Sequence, residues 1–110
     1  MATTHAASGE LIDLHLIART GQASESQTLV RTDHVEVFRL TMPPGKELPE
    51  HKVASVITMQ CLEGKVEVLA HGRMQVMRAG TMMYLAGAEP HSVRALENSS
   101  LLVTLLVNRV

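Results

Sequence analysis

Two histidines and one cysteine are the residues of this 110-residue chain whose type and setting could support chemistry. His51 follows a Pro-Gly turn and precedes a β-rich run, and His91 follows Pro90 in a second segment bounded by glycines. A neutral imidazole can bind a metal, act as a general base or hydrogen-bond a ligand. Cys61 lies in a predicted strand, and nothing in the local sequence marks its thiol as activated.

Strand periodicity groups other side chains with these histidines. Residues two apart on a strand share a face, so Val53, Ile57, Met59 and Cys61 should follow His51 into one cavity, and Val93 should follow His91. Tyr84, the only tyrosine, is placed at the cavity edge. The predicted ligand pocket is His51, Val53, Ile57, Met59, Cys61, Tyr84, His91 and Val93. Such an apolar pocket with few polar groups is typical of small-molecule sites. The alternative is two histidines hydrogen-bonded only for structure.

The elements that must position these residues are predicted to be short strands. The strand segments are His34–Thr41, Val53–Gly64, a hairpin over Lys65–Met77 with its tip at 70–73, Ala79–Gly87, His91–Leu96 and Ser100–Val107. Seven or eight strands with turn signals every eight to twelve residues predict an all-β sandwich or small barrel. Residues 19–28 are polar and small and are interpreted as a loop, while Glu10–Ile17 fits a helix or an edge strand.

The last predicted strand is apolar on both faces. Leu101, Val103 and Leu105 alternate with Leu102 and Leu106. A strand buried on both faces in so small a domain indicates a partner subunit, and we predict a homodimer.

Composition excludes several classes of function. Ten basic and eleven acidic residues are scattered along the chain and few residues are aromatic, so no nucleic-acid partner is expected. No apolar run reaches the roughly 18 residues of a membrane helix, and the N-terminus lacks the features of a signal peptide. A single cysteine fits a reducing compartment. We predict a cytoplasmic protein with no membrane partner.

Two glycine-bounded blocks resemble the two sequence motifs of the cupin superfamily. The first motif is written G-x5-H-x-H-x3,4-E-x6-G, and here Gly45, His51 and Gly64 match it. The second histidine of that motif falls on Val53 and its glutamate on Ile57. In the second motif, G-x5-P-x-G-x2-H-x3-N, Gly80 and His91 match. The proline of that motif falls on Ala86, its second glycine on Ala88 and its asparagine on Ala95.

The resemblance implies a cupin-type double-stranded β-helix, or jelly-roll barrel, of the small single-domain RmlC-like kind. It covers roughly residues 34–107, and we predict residues 29–110 as the barrel and residues 1–28 as an N-terminal segment of the same domain. In metal-binding cupins three histidines and a glutamate hold one divalent ion. His51 and His91 match two of those ligands, so the metal motif is incomplete.

The preferred functional hypothesis is a cupin that binds a small, apolar or weakly polar molecule without a full metal site and with no cofactor. The alternative is a metal-dependent dioxygenase or isomerase that holds a divalent metal with His51 and His91. A copper site that adds Met59, Met82 or Met83 is a variant of it. A metal-free isomerase with a histidine base and a purely structural or regulatory protein are the remaining hypotheses. The sequence identifies no catalytic residue.

Overall fold

The computed structural model describes residues 5–14 and 25–107, and in them the backbone forms nine strands. They are β1 (Glu25–Arg31), β2 (Val35–Met42), β3 (Glu47–His51), β4 (Val56–Glu63), β5 (Lys65–Ala70), β6 (Arg73–Arg78), β7 (Met82–Leu85), β8 (His91–Ala95) and β9 (Ser99–Leu106). The predicted all-β class is confirmed. Within these residues, no helix has the length and apolar character needed to cross a membrane.

The strands form two antiparallel sheets. One has five strands in the order β1-β2-β9-β4-β7, and the other has four in the order β3-β8-β5-β6. Consecutive strands repeatedly pass from one sheet to the other, and strands distant in sequence, such as β2 and β9, become neighbours. This arrangement is the jelly-roll barrel that the sequence predicts.

Alternating side chains build the core between the sheets. In β5, Val66 and Val68 are fully buried while Lys65 and Glu67 point away from the core. In β9, Leu101 and Val103 are buried, whereas Leu106 on the opposite face is 56% exposed. Because strand side chains alternate, one face of each sheet supplies the barrel interior and the other remains on the outside.

The predicted hairpin over residues 65–77 is confirmed, and its turn has a clear local cause. His71 and Gly72 form the tip between β5 and β6, and both have positive φ, 53° and 70°. Two central residues with positive φ define a type I′ turn, whose twist matches that of the flanking strands.

Two strands were not predicted. Residues 25–28, interpreted as a loop, are the first part of β1, which therefore starts before the predicted barrel boundary at residue 29. β3 contains Pro49 and is largely exposed. Both lie at sheet edges, where one-sided pairing permits polar residues and proline that would disfavour a central strand. Of the segment 10–17, residues 10–14 are described and contain no strand, and the rest lies outside the described residues.

Candidate functional site

A cavity of about 100 Å³ lies between the two sheets. Its walls come from strands of both sheets and from the segment that follows β3. Twelve residues line it: Phe38, Leu40, Leu48, His51, Val53, Ile57, Met59, His91, Val93, Leu101, Val103 and Leu105. Ten of these side chains are hydrocarbon or thioether, so the two imidazoles are its main polar groups.

Strand pairing brings the two histidines together. His51 and His91 are directly opposite each other on β3 and β8, and their ring centroids are 4.4 Å apart with the planes tilted by 56°. The register of β3 shifts between Leu48 and His51. In a regular strand, residues three apart point to opposite faces. The register shift therefore allows the side chains of Leu48 and His51 to line the same cavity.

Backbone carbonyls hold both rings in the same way. The Nδ1 of His51 lies 2.9 Å from the carbonyl oxygen of Pro49, and the Nδ1 of His91 lies 2.9 Å from that of Glu89. A carbonyl oxygen only accepts, so each Nδ1 carries the proton and donates it. In the neutral ring, Nε2 is then the hydrogen-bond acceptor and the available metal ligand. His91 is buried, at 4% exposure, while His51 is exposed at the mouth of the cavity.

Four positions matched to the metal ligands of cupins meet in this cavity. His51, Val53, Ile57 and His91 all line it. Val53 and Ile57 are aliphatic and cannot coordinate a metal. Among residues 5–14 and 25–107, no three His, Cys, Asp or Glu side chains form a group able to hold a metal ion. The donor set therefore does not fit the four-ligand site of metal-binding cupins.

The three methionines considered for copper lie in different places. Met59 lines the cavity beside the histidines, Met83 packs partly buried against the core, and Met82 is 59% exposed. Of these three methionines, only Met59 lines the same cavity as the imidazoles. Two imidazoles and one thioether would suit a soft ion such as copper better than a hard one.

The loop between β7 and β8 closes against the segment that carries Val53. The backbone N–H of Ala88 donates to the carbonyl oxygen of Val53 at 2.7 Å. Ala88 has a φ of 64°, in the left-handed region that favours glycine. Ala88 thus has a backbone conformation that favours glycine, the residue that the cupin motif has at this position.

Two residues of the predicted pocket do not line this cavity. Tyr84 does not line this cavity; it pairs with Thr58 on the outer face of the five-stranded sheet and is 64% exposed. Cys61 faces inward on β4 but lies past the cavity, near the strand end, where its thiol donates to the carbonyl oxygen of Glu63 at 3.3 Å. Burial raises the pKa of the Cys61 thiol above its ordinary value of 9.0. A buried, neutral thiol is a poor nucleophile.

The other cavity residues that periodicity proposed are in place: His51, Val53, Ile57, Met59, His91 and Val93. The half of the wall that was not assigned to the pocket comes from β2, β3 and β9, and comprises Phe38, Leu40, Leu48, Leu101, Val103 and Leu105. Alternation in the last strand had already placed three of them on one face. The alternation of side chains along one strand does not show which faces of distant strands meet. That information comes from the sheet topology.

Comparison with known proteins identifies the fold. No protein-family model matches the sequence, and a search of curated proteins finds no significant match. Solved structures do match. A cupin superfamily protein from Desulfitobacterium hafniense is 12% identical with a TM-score of 0.80, over 98% of this chain and 100% of that chain. An RmlC-like cupin from Shewanella frigidimarina is 19% identical with a TM-score of 0.76, over 97% of this chain and 94% of that chain.

A third match, a protein of unknown function from Streptococcus pyogenes, is 16% identical with a TM-score of 0.78 and full coverage of both chains. The chain thus has the double-stranded β-helix fold of the RmlC-like cupins, as the sequence motifs predicted. At these identities the likeness shows the fold alone, and function must be argued from the cavity.

Proposed function

We propose that this barrel binds a small, largely apolar molecule in the cavity between its sheets, with His51 and His91 as the polar anchors. One observation carries the proposal: an apolar cavity of about 100 Å³ with two adjacent imidazoles at one side. An engineered apolar cavity of about 150 Å³ can hold benzene. This cavity has about two thirds of that volume, so we expect a ligand no larger than one small ring.

The first test is a thermal-shift screen of small organic compounds with the untagged wild-type chain and with His51→Ala and His91→Ala. A ligand at ten times its Kd stabilises by about 1.4 kcal/mol, which corresponds to a rise in Tm of several degrees. His71→Ala is the matched control, since His71 is exposed at the hairpin tip. We expect shifts that the cavity substitutions reduce and the control retains. Shifts unaffected by either cavity substitution would contradict the proposal.

A metal-dependent enzyme is the second candidate, and the carbonyl anchors favour it. Metal-binding histidines usually donate their second ring N–H to a carbonyl or carboxylate, as His51 and His91 do here. Mass spectrometry of protein prepared without added metal separates the two candidates, with a His51→Ala, His91→Ala double variant as control. About one metal ion per wild-type chain and none in the variant would overturn the metal-free proposal and direct work to oxidation and isomerisation assays.

We also propose that the chain forms a homodimer through the outer face of β4, β7 and β9. This uncharged face comprises Val56, Thr58, Gln60, Met82, Tyr84, Leu102, Thr104 and Leu106. Three of its members, Met82, Tyr84 and Leu106, are more than half exposed. The outer face of the other sheet differs, because it carries charged neighbours such as Glu67 and Arg94. A face without charge is complementary to its own copy and offers nothing to a strongly charged partner.

A further inference from the structure

We infer that the cavity selects neutral ligands that donate hydrogen bonds, such as phenols and short alcohols, over ligands that only accept them. The inference rests on the proposed function and names the chemical class of its ligand. Its basis is the direction of the hydrogen bonds at the two histidines, which leaves each neutral ring with an acceptor and no free N–H donor.

The first step concerns the protons of the imidazoles. Each Nδ1–H is already engaged by the carbonyl oxygen two residues earlier in the chain, Pro49 for His51 and Glu89 for His91. The neutral ring has one N–H only, so Nε2 presents a lone pair. A ligand hydroxyl can donate to such a nitrogen, whereas a ketone or ether oxygen would bring a second lone pair against it.

The second step concerns the remaining wall. No other residue that lines the cavity has nitrogen or oxygen in its side chain, and the Met59 sulfur is itself a weak acceptor. The ligand-facing side chains therefore supply acceptors alone. None of the lining residues is Lys, Arg, Asp or Glu, so the cavity side chains provide no counter-charge. Burying an unpaired charge in an apolar site is costly, which disfavours carboxylates and ammonium ions.

The third step concerns size and number. The ring centroids of His51 and His91 lie 4.4 Å apart and both residues line the cavity, so the two imidazoles belong to one ligand site. The apolar wall suits an apolar ligand body, and the volume of about 100 Å³ limits that body to one small ring or a short alkyl chain. Phenol is the simplest molecule that combines the apolar body with the donor.

The test measures Kd for phenol and toluene by NMR titration at one fixed pH of 8. Toluene has nearly the same shape and lacks the donor. The readout is the ratio of their affinities in the wild type, in His51→Phe and in His91→Phe, because this ratio cancels general changes in the cavity. We expect the preference for phenol to fall about tenfold in at least one variant, the size of one buried hydrogen bond. His71→Phe should leave it unchanged.

Further ligands make the outcome decisive. Benzaldehyde, an acceptor, and benzoate, an anion, should both bind more weakly than phenol. Tighter binding of either one, or an unchanged phenol preference in both cavity variants, would overturn the inference while leaving a small-molecule site in place. If none of these compounds, toluene included, binds the wild type, both the proposed function and the inference fail. Toluene binding to a variant shows that its cavity has folded. Because His51 is exposed, His51→Phe keeps the test valid even if His91→Phe does not fold.

Discussion

Replacing Gly64 with alanine tests the close contact between the β4–β5 turn and the β8–β9 turn. Gly64 has a φ of 81°, and a Cβ at this position would overlap the backbone oxygen of Asn98 and the hydroxyl of Ser99. It would also lie 2.8 Å from the Cα of Ser99. Most of these atoms are backbone, so a simple side-chain rotation cannot remove the overlap.

The expected loss of stability has two parts. A residue with a Cβ in the left-handed region costs about 1–2 kcal/mol. Moving the second turn away would also disturb the Ser99 hydroxyl, which donates to the carbonyl of Lys65 at 3.0 Å and accepts from the N–H of Lys65 at 3.1 Å. Each such bond contributes about 0.5–1.5 kcal/mol. We expect Gly64→Ala to lower the free energy of unfolding by roughly 3 kcal/mol, with a fall in Tm on the order of 10 °C or more.

Gly72→Ala is the matched control, because Gly72 has a φ of 70° and no atom within 4 Å of an added Cβ. It should show the backbone cost alone, about 1–2 kcal/mol. Urea denaturation followed by circular dichroism measures both variants. Equal losses would refute the reasoning, since they would mean that the two turns separate without cost. A loss for Gly72→Ala larger than that for Gly64→Ala would refute it more strongly.

Three further predictions concern the thiol, the outer face and the cavity. Burial should protect Cys61 from iodoacetamide by roughly 100-fold relative to the unfolded chain, and rapid labelling of folded protein would contradict its placement. The pKa of the Cys61 thiol is raised in the folded state, so its contribution to the free energy of unfolding is complete below pH 9.0 and is lost as pH rises through the higher folded pKa. In urea denaturation, Cys61→Ala should lack this pH-dependent loss of stability. Met82→Lys should weaken the proposed dimer about tenfold or more, as measured by analytical ultracentrifugation. Met74→Lys is the control, because Met74 lies on the other sheet and is 57% exposed, compared with 59% for Met82. Equal effects of the two substitutions would exclude the uncharged face as the interface. The double change Val53→His, Ile57→Glu should lower the free energy of unfolding by a few kcal/mol without metal, because it buries a carboxylate. Added Zn²⁺ or Mn²⁺ should restore Tm. If Tm does not rise with metal, positions 51, 53, 57 and 91 do not converge on one site.

The sequence predicts the central strands better than the edges. Strands such as β5 and β9 have regular alternation because one face of each must fill the core, and this physical demand appears directly in the order of residues. The strand β3 has Pro49 and three residues with charged or imidazole side chains, since an edge strand needs pairing on one side only. Its existence depends on pairing with β8, which no local pattern reveals.

The site residues show the same contrast between what the local sequence predicts and what depends on strand pairing. The positions of His51, Val53, Ile57 and His91 followed from motif spacing, and all four line one cavity. Tyr84 was misplaced because its position within a short strand between two turns does not fix which face it occupies. The register with Thr58 fixes that face, and register is a property of two strands together.

The carbonyl anchors of His51 and His91 connect the fold to the proposed chemistry. Each imidazole donates to the backbone carbonyl oxygen two residues earlier in the sequence, Pro49 for His51 and Glu89 for His91. The tautomer of each ring is therefore set without any group inside the cavity. Neither hydrogen bond involves Val53 or Ile57, the two positions where the cupin motif has its other metal ligands. The cavity therefore contains two oriented imidazoles at positions that match the cupin motif, and aliphatic side chains at the other two. An apolar cavity with such acceptors is suited to recognising a hydroxyl on a small apolar molecule.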